Sequence, residues 1–187
     1  MFNRVLSISI LGVLLFVADK GITAEKRHAE SHVHGVAEIN IVVEGKKIVV
    51  EFHTPTEGVM GFEHEAKRDE EKNKRDAALK LINEKFPDMV MLERKLACRP
   101  AGGKIAIVNS DDQKDKKHTH GDQKKSGEHR EVRATFHFEC QGNPIGSRVQ
   151  FGVTKLFPNI HELKVQVLSD AKQSGATIKK DKGDVRL

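Results

Sequence analysis

The chain has 187 residues, of which 32% are charged and 37% are hydrophobic, and its formal net charge is +5. It contains nine Phe but no Trp or Tyr, so we expect one domain with a modest core of Val, Ile, Leu and Phe. Clustered lysines suggest nucleic-acid binding, but the Tyr and Trp side chains on which bases stack are absent. We therefore interpret the lysine runs as solvated loop and tail.

Residues 1–24 have the order of a secretory signal peptide. Arg4 forms a short basic start, an apolar run follows from Val5 to Val17, and Ala24 is the small residue at the expected cleavage site. The run is shorter than the roughly 20 apolar residues that a membrane span needs, so an uncleaved anchor is the less favoured alternative. The prediction is an exported mature domain of residues 25–187, and export also argues against a nucleic-acid partner.

The first mature element is predicted to be a β-hairpin. Period-two patterning runs from Ala37 to Val43 and again from Ile48 to Phe52, on either side of a turn that contains Gly45. A turn at residues 45–46 places every apolar pair on one face of the hairpin. The predicted register pairs Val43 with Ile48, Ile41 with Val50, Ile39 with Phe52, Asn40 with Glu51, and Glu38 with His53.

The rest of the chain predicts one substantial helix and several further strands. A loop at 54–62 leads into a helix at 65–85, which Phe86-Pro87 is expected to end. Strands are predicted at 89–98, 104–108, 131–140, 148–153 and 162–168, with a helical turn at 156–158 and an edge strand at 176–179. Residues 109–130 are poor in apolar side chains and predict a flexible loop. The predicted fold class is α+β, with an antiparallel sheet built from hairpins, one main helix and a disordered His/Lys/Asp-rich loop.

The two cysteines, Cys98 and Cys140, favour a disulfide in an exported chain. Cys140 shares the apolar face of its predicted strand with Phe136 and Phe138, and Leu96 lies on the same face as Cys98. A Cys/His metal site is the weaker alternative, because neither cysteine has a second one at CxxC spacing.

Histidines form two clusters that suggest metal binding, because neutral imidazole is the commonest protein ligand of metals such as zinc. The first cluster, His28, His32 and His34, follows the predicted cleavage site. Glu38 and His53, opposite each other in the predicted hairpin, are further candidate ligands on a rigid face. The alternative for residues 25–34 is a polar, disordered arm.

The second cluster, His118, His120 and His129, lies in the predicted loop among acidic and basic residues. A loop of this kind can wrap around a metal but must order itself each time, so weak to moderate affinity and fast exchange are expected. A solvated run of charges explains the same composition equally well. Glu63-His64, near the expected helix start, is the third candidate, either as metal ligands or as helix caps.

The sequence contains no motif that indicates catalysis. His64-Glu65 begins like the HExxH signature of zinc proteases, but Arg68 stands where the second histidine is required. The sequence has no GxSxG motif and no Gly-rich phosphate-binding loop. We therefore expect that the protein is not an enzyme.

Three segments together resemble a known family. Residues 32–40 (HVHGVAEIN) are similar to the HxHGxAxLN opening of zinc-regulated periplasmic proteins associated with bacterial zinc uptake. Residues 61–64 (GFEH) resemble that family's GFEH segment, and residues 157–158 (FP) followed by 163–167 (LKVQV) resemble its close. The resemblance implies a periplasmic protein of a Gram-negative bacterium that binds Zn²⁺ through His32, His34 and His64. It also implies a membrane zinc transporter component as partner.

The sequence therefore predicts a periplasmic zinc-binding protein that captures Zn²⁺ through His-rich segments and supports zinc uptake. Two alternatives stay open: a non-enzymatic envelope protein with incidental histidines, and a carrier of copper or nickel, since imidazole accepts all three metals. Members of the family often have longer His/Asp repeats in the central loop. Here the loop carries many lysines, whose charge opposes cation binding. No stable membrane insertion is expected after cleavage.

Overall fold

The computed structural model of the protein describes residues 33–109, 129–170 and 172–187. The predicted signal peptide and residues 110–128 of the predicted loop lie outside the described residues. The strands are β1 (Val36–Glu44), β2 (Lys47–Pro55), β3 (Val90–Leu92), β4 (Arg99–Asn109), β5 (Arg130–Glu139), β6 (Arg148–Phe151), β7 (Glu162–Ser169), β8 (Gln173–Lys179) and β9 (Asp184–Arg186). The helices are α1 (Thr56–Met60), α2 (Asp69–Met89) and α3 (Val153–Leu156), with a 3₁₀ turn at Arg94–Leu96.

The strands form two sheets. The larger sheet has six strands in the order β4-β5-β2-β1-β7-β8, and the smaller has the order β3-β6-β9. Neighbours in the larger sheet are antiparallel, with the exception of the parallel pair β1 and β7. The predicted α+β class with one main helix is confirmed, and β8 is the edge strand expected near the end of the chain.

The predicted hairpin is confirmed in its register. Ile39 lies opposite Phe52, and Glu38 lies opposite His53. The other three predicted pairs are also present, with residues 45–46 as the turn. The inward apolar residues of β1 and β2 are almost completely buried. A shift of one residue would move this apolar set to the solvent face, so its burial fixes the register.

The core lies on one face of the six-stranded sheet. Inward side chains of β1, β2, β5 and β7 form one hydrophobic cluster with buried residues of α2 and of the smaller sheet. Phe86 of α2 stacks on Phe136 of β5, with ring centroids 3.8 Å apart. The opposite face carries polar residues such as Glu38 and His137, and His137 points outward as expected from its strand.

The boundaries of α2 differ from the prediction at both ends. The helix begins at Asp69 because the Glu71 carboxylate accepts hydrogen bonds from the backbone N–H groups of Lys67 and Arg68. It ends at Met89 and so passes through Pro87. Burial of Phe86 and Met89 stabilises this last turn, although Pro87 removes one backbone donor.

Other boundaries also differ: β6 ends at Phe151 and not at 153, the helical turn predicted at 156–158 is α3 at Val153–Leu156, and β8 begins at Gln173 and not at 176. The predicted loop at 54–62 contains the end of β2 and the short helix α1. The predicted strand at 89–98 is divided into β3 and the 3₁₀ turn, since Ala97 adopts a left-handed backbone with φ 47°. β4 begins at Arg99, five residues before its predicted start at 104, and the short strand β9 was not predicted.

The Cys98–Cys140 disulfide is present as predicted. The two residues adjoin the paired residues Arg99 and Glu139 of β4 and β5, so the bridge closes one end of this strand pair. Neither cysteine is free, and a Cys-containing metal site is thereby excluded.

Candidate metal centre

Three strand ends of the large sheet lie side by side along one edge of it, the edge formed by the ends of the strands. β1 begins at Val36, β2 ends at Pro55 and β5 begins at Arg130, and β2 lies between the other two in antiparallel pairing. Residues just before β1, just after β2 and just before β5 are therefore neighbours in space, although they are distant in sequence.

Hydrogen bonds hold the connection between β2 and α2 in place at this edge. The Thr54 hydroxyl donates to the carbonyl oxygen of Val36 at 3.3 Å, and the Thr56 hydroxyl donates to that of Phe62 at 2.8 Å. Gly61, with φ 83°, ends α1 in the left-handed conformation that glycine adopts without strain. The chain consequently folds back, and both Glu57 and Glu63 lie at the edge of the sheet.

Two histidines and two glutamates meet there. His34 Nδ1 lies 3.3 Å from Glu57 Oε2 and 3.5 Å from Glu63 Oε1. His129 Nδ1 lies 2.6 Å from Glu63 Oε2, a short hydrogen bond between an imidazole and a carboxylate. Glu63 therefore bridges two histidines that precede different strands. We call His34, Glu57, Glu63 and His129 the His–Glu cluster.

The carboxylates of the cluster are less accessible than its imidazoles. The Glu63 side chain is 19% exposed and that of Glu57 is 34% exposed, whereas the values are 67% for His34 and 55% for His129. A cation from solution can therefore reach the imidazoles directly, and the carboxylates lie behind them. Two carboxylates and two neutral imidazoles together balance the charge of one divalent cation.

Two of the three distances between side chains of the cluster match the spacing of zinc ligands, and the third, 2.6 Å between His129 and Glu63, is that of a hydrogen bond. Zinc ligands about 2.0–2.2 Å from a tetrahedral ion are about 3.4 Å from each other. The two distances from His34 Nδ1, 3.3 Å and 3.5 Å, match this spacing. Within the described residues, no three His, Cys, Asp or Glu side chains are already arranged to hold a metal. Coordination would therefore need side-chain rotation, with the ion replacing the protons of the hydrogen bonds.

His64 lies beside the cluster in sequence but has other partners. Its ring stacks on Phe62, with centroids 5.0 Å apart, and its Nδ1 lies 3.1 Å from the carbonyl oxygen of Glu65. Its Nε2 lies 3.8 Å from Glu71 Oε1. Hydrogen bonds from the backbone and the guanidinium of Arg68 lower the pKa of Glu71 to about 2. Glu71 is therefore a helix cap that stays ionised, and zinc ligation by His64 stays a prediction.

Glu38 and His53 are paired in register on the open face of the sheet, as expected. No hydrogen bond or ion pair joins these two described side chains, and their metal binding stays a prediction. The remaining predicted ligands, His28, His32, His118 and His120, lie outside the described residues.

Glu57 is the member of the cluster that sequence analysis missed. The predicted hairpin register, extended beyond both strands, brings the residues before Val36 close to those after Pro55. This signal was sufficient to suggest that an acidic residue just after β2 would face His34. His129 required the pairing of β5 with β2, which no local pattern indicates.

Sequence comparison identifies the family. In the described part of the chain, none of the helices combines the length and apolar character needed to cross a membrane. No curated protein matches the sequence. Residues 31–187 match a family described as ZrgA family zinc uptake protein, a range that includes all four residues of the His–Glu cluster. The chain therefore belongs to the ZrgA family of zinc uptake proteins.

Proposed function

We propose that this protein is a periplasmic zinc-binding protein that captures Zn²⁺ at the His–Glu cluster and supports zinc uptake. Family membership supports the link to zinc uptake. The observation that carries the proposal is the position of Glu63, whose two oxygens contact imidazoles from segments before β1 and before β5. Carboxylates recur in zinc sites, as ligands or as partners that orient a histidine ligand.

The exposure of the cluster suggests exchangeable rather than permanent binding. His34 and His129 are each more than half exposed, so an ion held there stays accessible to water and to a competing ligand. A carrier that passes its ion to an uptake system needs this property. In this proposal the histidines at positions 28, 32, 118 and 120 raise the local capacity for zinc, and the cluster provides the specific site.

The cellular context of the proposal comes from the sequence. A signal peptide at residues 1–24 would export the chain, and the receiving partner would be a membrane zinc transporter component. The protein would act by binding and transfer and not as an enzyme, since the cluster contains ligands and no positioned nucleophile.

Replacement of Glu63 tests the proposed function. Glu63→Gln removes the charge between His34 and His129 but keeps the side-chain shape. We expect zinc affinity to fall at least tenfold, the lower end of the 10–100-fold loss that follows removal of groups supporting a metal site. Glu65→Gln, at an exposed position two residues further along, is the matched control and should leave affinity unchanged.

Titration with Cu²⁺ and Ni²⁺ in the same experiment tests the other metal carriers. Imidazole binds all three ions, and intrinsic affinity usually favours copper. Equal dependence on Glu63 for every ion would mean that availability in the cell, and not the cluster, selects zinc. If no ion binds with measurable affinity, the protein is not a metal carrier.

A further inference from the structure

His161 lies beside the backbone that carries His34. His161 directly precedes β7, and its backbone N–H donates to the carbonyl oxygen of Gly35 at 2.9 Å. The N–H of Glu162 donates to the same oxygen at 3.2 Å, and the carbonyl oxygen of His161 accepts from Lys180 at 3.0 Å. The first two hydrogen bonds hold residues 161–162 against Gly35, and the third joins His161 to the residue after β8.

The ring of His161 occupies the space that a side chain at position 35 would need. A Cβ atom on Gly35 would overlap Cε1 and Nδ1 of His161, and the backbone of Gly35 has φ 75°. Glycine is therefore required on both grounds. Consecutive Cα atoms are about 3.8 Å apart, so the imidazole of His161 is adjacent to the backbone of His34.

The same segment also borders a second member of the cluster. The side-chain amide of Asn159 donates to the carbonyl oxygen of Glu57 at 3.3 Å. Residues 159–161 thus contact Gly35, the neighbour of His34, on one side and the backbone of Glu57 in α1 on the other. Within the described residues, neither ring nitrogen of His161 has a hydrogen bond or an ion pair, and the residue is exposed.

We propose that His161 is a further ligand of the zinc ion that His34, Glu57 and Glu63 bind. His129 is hydrogen-bonded to Glu63 Oε2 and orients that carboxylate, so His34, Glu57 and Glu63 are the three direct ligands. Three protein ligands leave one position of a tetrahedral zinc ion for water, and the imidazole of His161 can take that position. Among the described residues, His161 has an imidazole that lies next to the backbone of His34 and makes no hydrogen bond or ion pair. This inference rests on the proposed function of the His–Glu cluster, and it assigns that cluster a donor from the segment before β7.

Two substitutions of His161 separate ligation from packing. His161→Ala removes the ring, and His161→Phe keeps a ring against Gly35 but removes both nitrogens. Both variants are expressed from the full sequence, with any signal-peptide cleavage left to the host cell. We expect each of them to bind zinc at least tenfold more weakly than the parent in calorimetric titrations. His161→Phe should keep the thermal midpoint of the metal-free parent. His137→Phe, at an exposed position of β5, is the matched control and should bind zinc like the parent.

Nuclear magnetic resonance of the ring nitrogens gives a second measurement. One equivalent of zinc should shift a ring-nitrogen signal that is missing from both His161 variants. Parental zinc affinity in His161→Phe, with no shift of that signal, would overturn the proposal. If Glu63→Gln nevertheless weakens zinc binding, the assignment of zinc to the His–Glu cluster is retained and only the role of His161 is rejected. Absence of zinc binding by the parent would overturn the cluster and this ligand together.

Discussion

Glu63 connects two histidines that no local sequence pattern brings together. Its carboxylate lies 2.6 Å from the ring of His129 and 3.5 Å from that of His34. A carboxylate in this position can orient both imidazoles before an ion arrives, and it can supply an oxygen ligand afterwards. The residue before it, Phe62, accepts the Thr56 hydrogen bond that closes the turn.

Gly35→Ala should destabilise the protein. The new methyl group would overlap the ring of His161, and the backbone at φ 75° is strained for any other residue. We expect the free energy of unfolding to fall by about 1–3 kcal/mol in urea titrations. Gly175→Ala is the control, because its added Cβ would meet only the Val165 carbonyl oxygen at 3.5 Å, an ordinary contact.

A double variant distinguishes the two causes of that loss. Combining Gly35→Ala with His161→Ala removes the overlap but keeps the strained backbone. The double variant should therefore be less destabilised than the sum of the two single variants. Strict additivity would show that the ring of His161 does not occupy this space in solution.

Glu71 makes stability depend on acid. Its pKa is about 2 in the folded protein, against 4.5 for an ordinary glutamate, because of hydrogen bonds from Arg68 and from the backbone of Lys67. A lowered folded-state pKa gives stability that is fully present above pH 4.5 and is lost as the pH falls towards 2. Glu71→Gln should therefore be less stable than the parent at pH 7.

The difference between parent and Glu71→Gln should shrink between pH 4.5 and pH 2 in chemical unfolding at a series of pH values. Glu84→Gln is the control, because Glu84 is exposed further along the same helix and its ion pair with Lys80 spans 3.9 Å. A difference that stays constant over this pH range would contradict the capping role of Glu71.

At the scale of elements, β4 and β5 form a strand pair that is closed at one end and open towards the cluster at the other. The Cys98–Cys140 disulfide adjoins the pair Arg99 and Glu139, whereas Asn109 and Arg130 form the last pair before His129. The disulfide and the cluster are therefore separated by the length of the strands.

Removal of the disulfide should lower stability without removing zinc binding. Combining Cys98→Ser with Cys140→Ser removes the crosslink between two residues that are 42 apart in sequence. We expect the free energy of unfolding to fall by about 2–4 kcal/mol. Zinc affinity, measured on the fraction that remains folded, should match that of the parent. A loss of zinc affinity in the folded fraction would contradict this prediction, because it would mean that the end of β5 next to His129 depends on the disulfide for its position.

The hairpin of β1 and β2 could be predicted from sequence because its information is local. Alternation of Ile39, Ile41 and Val43 with their neighbours, together with a short turn, leaves one register that buries all of them. The start of α2 was misplaced because helix-forming composition extends upstream of Asp69, and the boundary depends on one carboxylate, that of Glu71.

Non-local pairing explains what sequence reasoning did not predict. The parallel contact of β1 with β7 and the contact of β2 with β5 depend on the whole fold. His34, Glu63 and His129 were each singled out by residue type, but their convergence requires the β2–β5 pairing in addition to the predicted hairpin. Glu57 was missed although the predicted hairpin register, extended beyond Pro55, places the residues after β2 near His34.

At the scale of the whole molecule, zinc binding should depend steeply on pH. Imidazole protonates near pH 6.5 and must be neutral to bind a metal, so each histidine ligand binds a proton in competition with zinc. We expect affinity to fall sharply between pH 7.5 and pH 5.5 in titrations that use a non-chelating buffer. Affinity that stays constant over this range would contradict histidine ligation.

The most direct measurement is calorimetric titration of zinc into three forms of the protein. Each form is expressed from the full sequence, with any signal-peptide cleavage left to the host cell. The forms are the parent, a cluster variant with His34→Ala and Glu63→Gln, and a loop variant with His118→Ala and His120→Ala. We predict that the parent binds zinc, that the cluster variant loses the tightest binding, and that the loop variant keeps it while losing weaker sites. Retention of the tightest binding by the cluster variant, or its loss in the loop variant alone, would contradict the assignment of zinc capture to the His–Glu cluster.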